Sequence, residues 1–162
     1  MNFYQLPNGE VAGFDDPDLV PEGATEIAAD QFSQIATTPV LTLAQIKAAR
    51  IAALTTDYTV AIQQAVSYTS KAGVTQTFQG DTDSQTRLMQ ASQGFGMAGA
   101  TPPGFYWVAA DNTQEPFTLE DLQGLYSVLL TRGWAAFQKL ETLKKAVAEA
   151  TTIDAAQAIV WS

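Results

Sequence analysis

The sequence contains no cysteine and no histidine in 162 residues. The first absence removes disulfides, thiolate nucleophiles and cysteine zinc sites. The second removes Ser-His and Cys-His catalysis and the one side chain that titrates near neutral pH unaided. Basic residues are scarce: 8 Lys and Arg stand against 17 Asp and Glu, a net charge of -9. A chain of that sign is repelled by phosphate backbones and anionic lipid, so neither nucleic acid nor a membrane is an expected partner. No apolar run approaches the roughly 18 residues of a membrane-crossing helix. The stretch from Met1 to Glu10 has neither the basic nor the apolar part of a signal peptide. Charged residues make up only 15%, but hydrophobic ones reach 46%, enough to build a core rather than a disordered chain.

Local motifs for chemistry are equally thin. Gly94-Phe95-Gly96-Met97-Ala98-Gly99 has the spacing of a dinucleotide loop. It runs into Ala100-Thr101-Pro102-Pro103 rather than into a helix, so no amide cradle for a pyrophosphate is expected there. Asp81-Thr82-Asp83 opens like a calcium loop, but Thr86 and Ser92 stand where glycine and glutamate are needed. Helix capping is the better reading. Asp15, Asp16 and Asp18 cluster around Pro17 and read as a solvated turn. Without histidine, acid-base work at neutral pH needs a strongly shifted carboxylate or lysine, and no pair is singled out. The expectation is a protein that is not an enzyme and needs no cofactor or metal.

What the sequence does carry is structural punctuation. Residues 1–40 read as a small β-rich segment: a hairpin about Pro7-Asn8-Gly9, a strand at Ala24 to Ile27, and a short helix from Asp30 to Ile35 capped by Asp30. Ala36-Thr37-Thr38-Pro39 reads as a linker. Residues 41–162 form the second part. A helix starts near Thr42, with Leu43, Ile46, Arg50, Leu54, Tyr58 and Ile62 at helical spacing. A hairpin from Ser67 to Phe78 follows, then a helix capped by Asp81 or Asp83. A loop is expected from Gly94 to Gly104. A further hairpin from Phe105 to Phe117 turns at Asp111-Asn112. Thr118 then caps the longest helix, to about Ala150, and a last short helix runs from Thr151 or Thr152 to Trp161. Ser67 to Ala91 and Phe105 to Leu125 echo each other as hairpin-helix units, with Phe78 and Phe117 in equivalent places. Their hairpins are expected to share one sheet. The fold class expected is α+β: long helices on a small antiparallel sheet.

Two sets of residues stand out as candidates for binding. Phe105-Tyr106-Trp107 is the densest aromatic run. In a strand Phe105 and Trp107 share one face and Tyr106 takes the other, so one side packs and the other can meet a partner. The second set lies in the long helix. Leu119, Leu122, Tyr126, Leu129, Gly133, Ala136, Leu140, Leu143 and Val147 alternate in steps of three and four, a heptad seam. Leu122, Tyr126, Leu129, Leu140 and Leu143 are its candidates for homo-oligomer contact through residues 119–150. The competing reading is a core helix, with Leu125, Leu130, Trp134 and Phe137 widening a face that is buried. A break at Arg132-Gly133 is also open to this helix.

The stretch from about Leu41 to Ser162 resembles a phage-encoded family, the DUF4376 domain of unknown function. The residues that carry the resemblance are Leu43 to Arg50, Ser67 to Ser70 with Val74 to Phe78, Phe105 to Asn112, Pro116 to Leu122, and Leu143 to Val147 with Ile159 to Trp161. The start is similar to the opening of tail fibre assembly proteins, through Gly13 to Asp16 and then Pro21, Ala24, Glu26 and Ile27. The resemblance implies a protein of a tailed phage, with a tail fibre or baseplate protein as partner. It implies a fibre assembly factor in the host cytoplasm or, alternatively, a structural subunit in the virion tail. The N-terminal segment would serve as a docking piece. The family supplies no site residues to carry over.

Overall fold

A computed structural model describes residues 1–37 and 41–162. The linker expected at Ala36 to Pro39 lies partly outside the described residues. The chain divides into two units, Met1–Thr42 and Leu43–Ser162.

The first unit is a three-stranded antiparallel sheet in the order β2-β1-β3, with strands β1 (Asn2–Gln5), β2 (Val11–Phe14) and β3 (Thr25–Ile27). The Asn-Gly turn closes the first hairpin as expected, with Leu6 N–H donating to the Glu10 carbonyl at 2.8 Å. Asp16 caps a single 3-10 turn, Pro17–Leu19, by accepting from the Asp18 amide at 3.0 Å. This is the solvated turn expected of the aspartate cluster. Helix α1 (Ala29–Thr37) starts one residue before Asp30, so Asp30 sits in the first turn and is not the cap. Gln31 does the capping instead: its side chain reaches back and accepts from the Ala28 amide at 3.1 Å. Phe32 of α1 stacks on Phe3 of β1 with ring centroids 4.3 Å apart, the central packing contact of this unit.

The second unit is built on four helices and two hairpins, an α+β fold. Its elements in order are α2 (Leu43–Gln63), β4 (Val66–Thr69), β5 (Thr75–Phe78), α3 (Thr82–Ala98), β6 (Tyr106–Val108), β7 (Gln114–Pro116), α4 (Leu119–Glu149) and α5 (Ile153–Ala158). Caps fix the helix starts. Asp81 accepts from the Ser84 amide at 2.9 Å, and Thr118 and Asp121 make a reciprocal capping box. Thr152 caps α5, which ends at Ala158 rather than at Trp161.

Three expectations about these elements are corrected. The segment from Gly94 is helix, not loop: α3 runs through Gly94 and Gly96 to Ala98 and stops at Gly99 in the left-handed conformation. Each helical glycine costs about 1 kcal/mol against alanine. Packing of Leu88, Ala91 and Phe95 into the core offsets it. Helix α4 does not break at Gly133 but runs unbroken, roughly 46 Å at 1.5 Å per residue. The two hairpins do not share a ladder. They form separate two-stranded sheets joined by one backbone bond, from the Ala110 amide to the Thr77 carbonyl at 2.8 Å.

Two apolar clusters lie along α4. The first gathers Val66, Phe78, Leu88, Phe117, Leu122, Leu125 and Leu129. The two residues that the internal echo made equivalent meet here, with the Phe78 and Phe117 rings 5.2 Å apart. The second joins Leu54 of α2 to Leu140 and Val147 of α4, closed by Ile159 and Trp161. Gly124 matters within the first cluster: the Tyr68 hydroxyl lies where its Cβ would be, so the ring crosses α4 only because no side chain stands there.

Candidate partner-binding site

Strand β6 follows the alternation expected of Phe105-Tyr106-Trp107. Phe105 and Trp107 are half-buried against the first cluster, and Phe105 packs edge-on against Phe95 at 5.1 Å. Tyr106 and Val108 face outward, each 46% exposed.

The backbone of β6 has a direction as well. The Phe117 amide donates to the Phe105 carbonyl at 3.2 Å, and the Ala109 amide donates to the Thr113 carbonyl at 2.9 Å. Residues 105 and 109 are therefore hydrogen-bonded positions of the β6-β7 ladder. Alternation in an antiparallel pair turns the N–H and C=O of Tyr106 and Val108 away from β7. Beside β6 lies a cleft of about 390 Å³, lined by Tyr106, Trp107 and Val108 on one side and by Gln79 with Ser84 and Arg87 of α3 on the other.

The cleft's polar groups bond to one another. Its serine hydroxyl donates to Asp81 at 2.6 Å. Hydrogen bonds from Ser84 hold the Asp81 carboxyl below its usual range, which makes it a poor base. What remains is aromatic surface, amides and one guanidinium. Among the described residues no cluster of His, Cys, Asp and Glu is placed to hold a metal ion. None of the helices among those residues is long and apolar enough to cross a membrane.

The heptad residues lie elsewhere. Leu122, Leu129 and Leu140 are buried within the chain's own core, and Tyr126 and Leu143 are half-buried against it. The seam packs against α2, α3 and β4, and its residues Tyr126, Leu129 and Gly133 also line the groove beside Trp134. The wider face follows the core reading only in part. Leu125 is buried, but Leu130, Trp134 and Phe137 are exposed, Trp134 by 60%. Trp134 and Phe137 stack at 5.8 Å beside a groove of about 370 Å³ that Tyr58 and Ile62 complete. The signal was present as a second stripe at steps of four and three, but spacing does not say which stripe neighbours cover.

A family model for the domain of unknown function DUF4376 matches residues 39–160. The chain belongs to the DUF4376 family. The match takes in the whole second unit apart from its last two residues, and so includes both the cleft beside β6 and the Trp134 groove. No curated protein and no solved structure matches the chain.

Proposed function

We propose that this DUF4376 protein works by binding another protein, as an assembly factor for a phage tail fibre, and that it is not an enzyme. The observation that carries the reading is large apolar side chains left in water at two grooves of a unit whose other aromatics are buried or half-buried. Leu130, Trp134 and Phe137 form one such patch, and Tyr106 with Val108 forms the other. Rimmed apolar patches of this kind are where proteins meet partners. The acidic charge keeps such a surface soluble and disfavours nucleic acid as the partner. The tail fibre as partner, and the host cytoplasm as the place of work, rest on the resemblance of the second unit and of the N-terminal residues.

Co-expression of the chain with a tail fibre of the same phage tests this directly. The expected result is co-purification, with Trp134→Ala weakening binding by about tenfold or more while the melting temperature holds. A fibre that folds and assembles equally well without the chain sinks the reading. The separate N-terminal unit, with its own sheet and helix, favours a second reading as a subunit retained in the tail, docked through residues 1–37. Mass spectrometry of purified particles separates the two. A symmetric copy number supports the retained subunit, and absence from particles but abundance in the lysate supports the assembly factor.

A further inference from the structure

We infer that the outer edge of β6 takes up an extended, acidic segment of a protein partner, which adds as a further strand and sets its carboxylate on Arg87. The inference deepens the protein-binding reading and rests on it.

The open edge comes first. Tyr106 and Val108 offer two N–H and two C=O groups on the side away from β7, and among the described residues no backbone partner meets them. They stand two residues apart, about 7 Å, the repeat at which a second strand presents matching groups. A partner segment of about five residues covers that edge. A sugar presents no such row, so the edge favours a peptide.

Charge decides which peptide. The chain has eight basic side chains, Lys47, Arg50, Lys71, Arg87, Arg132, Lys139, Lys144 and Lys145. Four of them spend their charge on backbone carbonyls: Lys47 on Ala148, Arg50 on Ile159, Arg132 on Ile62 and Gln64, and Lys139 on Ser162. Lys71, Lys144 and Lys145 pair with Glu120, Glu141 and Glu149. Among the described residues Arg87 alone meets neither a carbonyl nor a carboxylate. Its one hydrogen bond goes to the Ser84 hydroxyl at 3.4 Å. An unpaired guanidinium lining a cleft, in a chain with 17 acids to choose from, suits an anion that arrives from outside. A second copy of this strand does not supply one, since Phe105 to Val108 carry no acid.

The test screens the full chain against a library of hexapeptides, N-acetylated and C-amidated so that end charges play no part. The expected binders share one Asp or Glu in an alternating, strand-forming sequence. Changing that acid to its amide, or Arg87→Gln in the protein, weakens binding by about tenfold or more. Val108→Pro removes an N–H that β7 does not use, and is expected to abolish binding. If that variant does not fold, hydrogen exchange in the unaltered chain decides, with the Tyr106 and Val108 amides gaining protection when peptide is added. The inference fails if no hexapeptide binds. It also fails if binding ignores Arg87→Gln or if those two amides stay unprotected. Capture of a tail fibre that is equally strong for the unaltered chain and both variants overturns the edge but leaves protein binding standing. Acidic peptides that bind as described while no fibre is captured keep the edge and overturn the fibre.

Discussion

At Asp121 one carboxylate ties the start of α4 to the β4-β5 hairpin. It accepts from the Thr118 amide at 2.9 Å and hydroxyl at 2.6 Å, from the Lys71 amide at 2.7 Å, and from the Tyr68 hydroxyl at 3.5 Å. It is 1% exposed. Burial alone would push its pKa up, but the bonds from Thr118 and Lys71 outweigh burial and hold the carboxyl below the ordinary 3.8. A depressed folded pKa means stability that is present above the unfolded value and lost as pH falls through the folded one. Asp121→Asn is therefore expected to cost about 2–3 kcal/mol at neutral pH in urea unfolding. The gap between variant and parent should close as acid protonates the carboxyl. A gap that stays constant from pH 7 down to pH 2 would count against a charged Asp121. Tyr68 answers on the alkaline side: burial first, then the Asp121 charge, raises its phenol above 10.0. Its contribution is present below that value and fades as pH rises through the raised one.

At the scale of elements, helix α4 supplies side chains to both apolar clusters. Leu129→Ala is expected to lower stability by about 2–5 kcal/mol, read by denaturant unfolding. Sedimentation equilibrium should show an unchanged oligomeric state. A change of state without loss of stability would restore the heptad as a contact between copies. The elements themselves were largely legible in the sequence because their signals are local. Asn8-Gly9 marks a turn, Thr118 with Asp121 marks a helix start, and β6 alternates. The missed parts depend on neighbours distant in sequence. Gly94 and Gly96 read as loop because glycine disfavours helix, and only the packing of Phe95 against Phe105 reveals what offsets that cost. Trp134 read as core because a helical stripe does not name what covers it. The two hairpins meet through a single backbone bond, Ala110 to Thr77, that no spacing encodes.

At the scale of the molecule, the two units differ in how much they bury. Among the described residues none before Leu54 is fully buried, whereas the second unit has two apolar clusters. Residues 43–162 expressed alone are expected to melt in one cooperative transition within a few degrees of the full chain's main one. Calorimetry on both decides it, and a fragment without a transition would make the first unit a required part of the fold.

The second cluster also sets a timetable. Its contacts are among the longest in sequence that the chain makes, with Arg50 and Ile159 bonded across 109 residues. Helix α2 leaves the ribosome early, yet Leu54 and Tyr58 have no lasting cover until Leu140, Val147 and Trp161 have been made. Such late closure slows folding and leaves apolar surface open during synthesis. Until residues 140–161 have been made, the nascent chain therefore carries α2 with its apolar face open.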